Sequence, residues 1–274
     1  MAISKKDLEL LSLYQSSGSD LFFEDIPQNR QSSATSSSIT QKKLTQAGSK
    51  SNVAHQSLKG QPSTEPGRER SISRVMADST NSFQELCEVI KKFDGCEIKK
   101  AATNTVIYDG QLGAKIMAVG EAPGANEDEQ GIPFCGQSGK LLDNIFKSIG
   151  LSRKENLFLT NTIFWRPPGN RRPTSEEIDA CRPFLEKMVF LLQPKLIIIV
   201  GSTAVESLLR IKPLSMNSLR TKNHLYSNCY LSPNTIEATT IFHPSHLLRR
   251  PAQKKVMWFD VLKIFKMIKP FINS

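Results

Sequence analysis

The feature that most constrains the fold is a regular alternation of short apolar runs and helical segments after residue 81. The apolar runs cover residues 115–119, 156–162, 195–200 and 239–242. Apolar residues at helical spacing predict helices over residues 83–92, 140–149, 175–192 and 203–209. Strands that are apolar along their whole length are typical of parallel sheets with helices on both faces. We therefore predict a three-layer α/β domain with a central, mostly parallel sheet.

Polar residues stand at the ends of three of these apolar runs. The first run is followed by GEAPG, which contains Glu121, and the second includes Asn161 and precedes FWRPPGNRRP. The fourth run is followed by HPSHLLRRP, which begins at His243. Ligands of open α/β sheets bind at the carboxyl ends of the strands. A carboxylate, an amide and an imidazole at one sheet edge, beside several arginines, therefore predict a binding or catalytic crevice.

Each of these residues also has a purely structural explanation. Glu121 could cap the next helix, Asn161 could satisfy a loop backbone, and His243 could be a hydrogen-bonded structural histidine. The acidic residues 127–129 are interpreted as a solvated loop face, and Phe134 fits either the core or a stacking platform at the crevice wall. The convergence of three polar residues at one predicted edge favours a functional site.

The charge distribution points to an anionic partner. The formal net charge is +10, and residues 81–274 carry 26 of the 36 Lys and Arg side chains but 18 of the 26 Asp and Glu. A basic domain suits nucleic acid or a membrane surface. No apolar run approaches the roughly 20 residues that span a bilayer, and the N-terminus resembles neither a secretory signal nor a transit peptide.

Composition divides the chain into three parts. Residues 1–30 contain a predicted short helix at Lys5–Gln15, and residues 31–80 form a predicted disordered Ser-rich linker because they lack large apolar side chains. Residues 81–274 form the predicted globular domain. The five cysteines are odd in number and scattered, which is typical of reduced thiols in a chain without a disulfide framework.

Three motifs together resemble a known family. The stretches GEAPGANEDEQGIPFCG, LTNTIFWRPPGNRRPT and HPSHLLR occur here in the order and spacing of the family 4 uracil-DNA glycosylases, whose familiar members carry an iron–sulfur cluster. The similarity extends from about Phe93 to the C-terminus. It implies a four-stranded parallel sheet between helices, and removal of uracil from DNA by base flipping. Uracil-containing DNA is then the expected partner.

The resemblance implies roles for residues of the pocket. Glu121 would lie near the sugar and the attacking water, and His243 would hydrogen-bond the uracil oxygen that becomes negative. Phe134 would stack on the flipped base, and Asn161 would read its pairing edge. Backbone amides around Ala122 and Gly124 would also line the pocket.

It also implies residues that grip the DNA. Leu247 would be the wedge that fills the gap left by the flipped base, and Ser245 and Arg249 would lie near phosphates. Arg171 belongs to a second basic cluster with Arg166 and Arg172, which we also expect to face DNA.

The pattern departs from the family at the cluster ligands. The four cysteine positions of the cluster-bearing relatives correspond here to Phe93, Cys96, Trp165 and Cys181. A [4Fe–4S] cluster normally needs four thiolates. We therefore predict no cofactor and no metal, with Phe93 and Trp165 filling the cluster volume and the two cysteines as small buried apolar residues. Zinc held by the two cysteines and further partners is the alternative.

Two other functions are also consistent with the sequence. A catalytically inactive DNA-binding or damage-recognition protein would keep the fold without the chemistry, and a glycosylase of broader specificity would accept bases such as hypoxanthine. Retention of Glu121, Phe134, Asn161 and His243 favours the uracil glycosylase. We expect a monomer without membrane contact, cytoplasmic and nucleoid-associated, whose N-terminal tail is a candidate contact for another protein.

Overall fold

The computed structural model describes residues 66–211 and 215–272, with side chains described for residues 72–211 and 215–271. The helix predicted at Lys5–Gln15 and residues 31–65 of the predicted linker lie outside the described residues. No helix in the described ranges is long and apolar enough to cross a membrane.

The core of the domain is a mixed sheet of six strands in the order β1-β3-β2-β4-β6-β5. The strands are β1 (Tyr108–Gly110), β2 (Ile116–Gly120), β3 (Leu157–Asn161), β4 (Leu196–Val200), β5 (Asn223–Tyr226) and β6 (Ile236–Ile241). The four inner strands run parallel, and the two edge strands are antiparallel to their neighbours. The register pairs Gly120 with Asn161 and Val200 with Ile241, so the carboxyl ends of the inner strands are aligned.

The prediction of a sheet with four parallel strands was therefore incomplete. The four apolar runs correspond to the inner strands, but both edge strands were missed. Strand β1 has only three residues, all half-buried, and β5 (NHLY) is mostly exposed, with Leu225 at 67%. Edge strands lack the continuous apolar run of a buried strand, so the pattern that predicted the inner strands could not predict them.

Helices cover both faces of the sheet. They are α1 (Pro66–Asp78), α2 (Phe83–Lys92), α3 (Ala125–Gln130), α4 (Gln137–Lys147), α5 (Ser175–Leu192), α6 (Ser202–Leu209), α7 (Met216–Arg220), α8 (Pro244–Arg249) and α9 (Gln253–Ile272). Local signals explain several starts: the Ser82 hydroxyl caps α2, and Thr174 with Glu177 forms a capping box on α5.

Two apolar clusters define the layers. One contains Met117 and Val119 of β2 and packs against helices α2, α5 and α6, and the other contains Ile116 and Ala118 and packs against α4 and α9. Alternate residues of the same strand thus enter opposite cores. This arrangement confirms an α/β domain with a helical layer on each side of the sheet.

The N-terminal boundary differs from the prediction. Residues 66–78, assigned to the disordered linker, form helix α1, which packs on α5. The Arg74 guanidinium pairs with the buried Glu186 carboxylate, which Arg210 Nη2 also contacts at 3.0 Å, and Asp78 accepts a hydrogen bond from Tyr230. The sequence of α1 is polar, and its docking depends on charged and phenolic partners far along the chain, so composition did not predict it.

Candidate active site

Nine of the ten residues predicted for the site line one cavity of about 760 Å³ at the carboxyl ends of the inner strands. The nine are Glu121, Ala122, Gly124, Phe134, Asn161, Arg171, His243, Ser245 and Arg249. They come from loops after β2, β3 and β6, which the parallel register brings to the same edge. The convergence predicted from the strand ends therefore agrees with the positions of these residues.

The floor of the cavity depends on a close approach at the end of β2. Gly120 lies opposite Asn161 in the register, and a Cβ atom on Gly120 would be 2.4 Å from both Asn161 Oδ1 and Phe134 Cζ. Only a residue without a side chain fits between these two groups. Asn161 is 2% exposed and lines the cavity. Its amide is therefore placed where it can contact a ligand.

Phe134 stands opposite the histidine on the cavity wall. Its ring centroid is 6.5 Å from that of His243, with the planes tilted by 30°. Its main chain has φ +54°, a left-handed conformation that is unusual for a residue with a large side chain. A Cβ on Gly139 would be 1.8 Å from the Phe134 carbonyl oxygen, so the first turn of α4 also requires a glycine.

The acidic residues of this loop have separate tasks. Glu121 is half-buried and faces the cavity. Glu127 accepts hydrogen bonds from the backbone N–H groups of Gly124 at 3.1 Å and Gly136 at 2.8 Å, and so joins the two ends of the loop. Asp128 is buried and accepts from Thr103 N at 2.9 Å and Asn104 N at 3.0 Å. The expectation of a solvated loop face was wrong for both, and only Glu129 is exposed.

His243 follows β6 and caps α8 through its side chain. The Ser245 backbone N–H donates to Nδ1 at 3.2 Å, and the Ser245 hydroxyl lies 2.8 Å from the same atom. A nitrogen that accepts an N–H bond carries no proton, so the proton of the neutral ring is on Nε2. Burial, with a smaller contribution from Arg249, lowers the pKa of His243 to about 4. The ring is therefore a neutral N–H donor at physiological pH.

The predicted wedge residue is not at the surface. Leu247 is 0% exposed and belongs to the apolar cluster beneath α8, whereas Leu248 is 42% exposed beside the exposed Arg249. A side chain that enters a DNA duplex must project from the protein, so the assignment of Leu247 does not agree with its burial. In an α-helix, adjacent residues point in directions 100° apart, and the motif alone could not decide which leucine faces out.

The second basic cluster is partly neutralised. Arg171 lines the cavity and donates to both Glu177 carboxylate oxygens, at 2.8 and 2.5 Å. Arg172 pairs with Glu206 at 2.7 Å. The Arg166 Nε donates to Asn170 at 2.7 Å. The cluster thus contributes less positive charge at the cavity rim than its sequence suggests.

The positions of the family's cluster ligands do not fit a four-thiolate cluster. Phe93 and Trp165 are each 1% exposed, with ring centroids 6.3 Å apart, and Phe184 packs edge-on against Phe93 at 5.0 Å. Cys96 and Cys181 are buried, and desolvation and their mutual contact raise the pKa of Cys181. Among the residues that the structure describes, no group of three or more His, Cys, Asp or Glu side chains is placed so that it could hold a metal ion.

The aromatic side chains of this region have polar partners as well as close packing. The Trp165 indole donates to Thr105 Oγ1 at 3.0 Å, and the Lys99 ammonium lies 5.8 Å from the Trp165 ring while binding the Phe93 carbonyl at 2.9 Å. A Cβ on Gly95 would lie 2.6 Å from Phe93 Cζ. We refer to Phe93, Trp165 and Phe184 as the aromatic plug.

Some cavity residues carried no signal in the sequence. The cavity is also lined by Gly201, Ser202, Ser215, Met216 and Asn217. They lie at the starts of α6 and α7, where no charged or aromatic motif marks them. Gly201 has φ +93°, and a Cβ there would be 3.0 Å from His243 Cβ, so its lack of a side chain also shapes the site.

Comparison with known proteins agrees with this architecture. Residues 107–263 match the family model described as the uracil DNA glycosylase superfamily. Three relatives, each named as a type-4 uracil-DNA glycosylase, come from Pyrobaculum aerophilum (35% identity, 67% of this chain and 93% of the relative), Thermotoga maritima (34%, 68% and 96%) and Sulfurisphaera tokodaii (34%, 67% and 84%). The chain therefore belongs to the uracil DNA glycosylase superfamily, and within it to the type-4 family.

Proposed function

We propose that the chain is a uracil-DNA glycosylase, which flips uracil out of DNA and hydrolyses its N-glycosidic bond to begin base excision repair. The observation that carries this proposal is the convergence of Glu121, Phe134, Asn161 and His243 on a single cavity. Family membership over two thirds of the chain supports the same conclusion.

The chemistry requires opposite charges to be stabilised on the two sides of one bond. Cleavage of the bond leaves a cationic sugar and an anionic uracil. The Glu121 carboxylate stabilises the cation and orients the attacking water, and the neutral His243 donates from Nε2 to the uracil oxygen that gains charge. The hydrogen bond from the Ser245 backbone to Nδ1 supports this role because it selects the required tautomer.

Recognition of the base is assigned to an amide and an aromatic ring. The Asn161 amide offers one donor and one acceptor, which match the pairing edge of uracil but not that of cytosine, because an unsatisfied buried polar group costs about 1–3 kcal/mol. The Phe134 ring stacks on the base. The Ala122 backbone amide completes the pocket, whereas the Gly124 N–H is already donated to Glu127.

The DNA grip is assigned to the exposed side of α8. Leu248, not Leu247, is the proposed wedge, because it is the exposed leucine of this motif. Arg249, Ser245 and Arg171 lie beside the same cavity and are proposed to approach the phosphates of the flipped nucleotide and its neighbours.

We further propose that catalysis needs no iron–sulfur cluster. The aromatic plug occupies the positions of two of the four ligands, and the two remaining thiols are too few to hold such a cluster. None of the residues assigned to bond cleavage belongs to the plug.

The test is strand cleavage of end-labelled DNA that contains a single uracil, after alkali treatment of abasic sites. We expect cleavage at uracil, none at hypoxanthine, and none by a double Asn161→Ala/His243→Ala variant. Arg182→Ala is the matched control, because Arg182 pairs with Asp179 away from the cavity.

The same preparation should be assayed for iron and acid-labile sulfide, which tests the cluster-free proposal independently. Protein that binds the DNA but leaves uracil in place would instead support a binding protein without glycosylase activity. Stoichiometric iron and sulfide in an active preparation would contradict the cofactor proposal alone.

A further inference from the structure

Arg153 is a charged residue outside the cavity that donates hydrogen bonds to the loop that carries Phe134. It lies between α4 and β3, and its side chain is 18% exposed. No motif in the sequence marked it. It does not line the cavity, and the chemistry proposed above gives it no part.

All five N–H donors of the Arg153 guanidinium have acceptors. Nη1 donates to Asp109 Oδ2 at 2.7 Å and to the Pro133 carbonyl at 3.1 Å, and Nη2 donates to the Phe134 carbonyl at 2.9 Å. Nε and Nη2 both donate to the Asp143 carboxylate, at 2.8 to 3.1 Å. The guanidinium thus ties two consecutive carbonyls of the loop to β1 through Asp109 and to α4 through Asp143.

The loop needs such a tie because Phe134 has an unfavourable backbone conformation. Its φ of +54° persists only where the surroundings fix it. The Phe134 carbonyl lies between the Arg153 guanidinium on one side and the Cα of Gly139 on the other. The ring, at the other end of the residue, contacts the backbone at Gly120. The position of the ring is therefore set by the direction of its own carbonyl.

An ordinary surface ion pair would not produce this arrangement. An ion pair requires only one carboxylate, whereas the Arg153 guanidinium also binds two main-chain carbonyl oxygens. Arg182 illustrates the ordinary case: it is 14% exposed and pairs with Asp179, but its other acceptor is Ser207 O, away from the Phe134 loop. The two arginines are similar in burial, but Arg153 pairs with two carboxylates and binds the Phe134 loop, whereas Arg182 pairs with one carboxylate away from that loop.

We propose that Arg153 is a positioning residue, which holds the Phe134 ring at the angle needed to stack on the flipped base. This inference rests on the proposed glycosylase function and assigns no chemical step to Arg153. Lysine cannot replace it fully, because one ammonium cannot reproduce the planar fork that reaches two carbonyls and two carboxylates.

The test compares Arg153→Ala, Arg153→Lys, Phe134→Ala, the double variant Arg153→Ala/Phe134→Ala and the control Arg182→Ala. Single-turnover excision of uracil from single-stranded DNA is measured at a temperature where circular dichroism shows every variant folded. Inhibition by free uracil and affinity for uracil-free DNA are measured on the same proteins, because they separate base binding from DNA binding.

We expect Arg153→Ala to lower the excision rate on the order of 10²-fold, as for other small misplacements of substrate-positioning groups. Inhibition by free uracil should weaken, affinity for uracil-free DNA should be unchanged, and Arg153→Lys should recover part of the rate. In the double variant, loss of Arg153 should add nothing to the loss of Phe134, because the arginine acts through the ring.

Two results would overturn the inference while leaving the glycosylase proposal intact. One is an Arg153→Ala variant that behaves like Arg182→Ala in rate and in uracil inhibition. The other is full additivity in the double variant, which would mean that Arg153 acts independently of Phe134. A wild-type protein that excises no uracil would contradict the proposed function itself.

Discussion

The cavity and the aromatic plug differ in what their side chains must provide: atoms at fixed positions in the cavity, and filled volume in the plug. In the cavity, Asn161, His243 and the glycine between Asn161 and Phe134 fix the positions of individual atoms. In the plug, Phe93, Trp165 and Phe184 fill space through ring packing and not through directed bonds. A scaffold element can be replaced by anything that fills its volume, whereas a reacting site depends on particular atoms.

The comparison predicts that damage to the two regions has different consequences. Substitutions in the plug should reduce the free energy of unfolding and leave the chemistry of the folded protein intact. Substitutions in the cavity should reduce the rate and leave stability nearly unchanged. The largest effect is expected in the plug.

Trp165→Ala should lower the free energy of unfolding by about 3–5 kcal/mol, because it removes a large buried side chain and leaves a cavity. Urea denaturation provides the measurement. Excision by the fraction that stays folded should match the wild type, and Trp165→Phe should lose less stability. A rate that collapses in a stable, folded Trp165→Phe variant would show that the plug and the cavity are coupled.

His243→Ala should lower the single-turnover rate about 10²- to 10³-fold, the usual result of removing one donor to a developing anion. Its thermal unfolding should change little by comparison, because the ring is at the cavity wall. His224→Ala is the histidine control, since His224 is on β5, does not line the cavity, and its Nε2 lies 2.9 Å from the Leu219 carbonyl. Equal losses in the two variants would argue against the role of His243.

The adjacent leucines of α8 should separate stability from DNA recognition. Leu247→Ala should cost about 2–5 kcal/mol of stability, because the side chain is fully buried. Leu248→Ala should leave stability within about 0.5 kcal/mol but reduce excision from duplex DNA more than from single strands. The two substrates are compared under single-turnover conditions. A selective duplex defect in Leu247→Ala would reverse the assignment.

The smallest expected effect is a pH dependence of stability. The pKa of His243 is about 4 in the folded protein and near 6.5 when unfolded, so the folded state resists protonation. Its contribution is fully present above pH 6.5 and is lost as pH falls toward 4. Between pH 7 and pH 5, the free energy of unfolding of the wild type should fall by on the order of 1 kcal/mol more than that of His243→Asn. Parallel urea titrations that show equal losses would contradict this.

The sequence predicted those parts of the molecule whose information is local. Apolar runs determine the inner strands, and the residues directly after them, Glu121 and His243, reach the edge that strand direction requires. The edge strands were missed because their exposure removes the apolar signal. Helix α1 was missed because Glu186, its buried partner, lies 112 residues away from Arg74.

The same distinction explains the errors at the site. Whether Leu247 or Leu248 faces outward depends on how α8 rotates against α4, which packs beneath it. The structural roles of Glu127 and Asp128 depend on backbone donors up to 25 residues away. Nothing in the residues near Arg153 indicated that it would bind the Phe134 carbonyl.

The ion pairs at the cavity rim have a consequence for how DNA binding responds to ionic strength. Arg171 forms an ion pair with Glu177, so a phosphate that contacts this arginine is also close to the Glu177 carboxylate. Arg172 is in the same situation with Glu206. Fewer condensed counterions are released from the DNA at such contacts than at an open arginine.

Among the described residues near the cavity, Arg166, Arg249 and Arg250 take part in no ion pair. Each open contact contributes about 0.9 to the slope of log affinity against log salt concentration, so three give a slope of about 3, where five would give about 4.5. The protein should therefore hold DNA less by its formal charge of +10 than by the fit of one extruded nucleotide. Binding to undamaged DNA would then be weak, with fast dissociation, and binding would be tight only where a base enters the cavity.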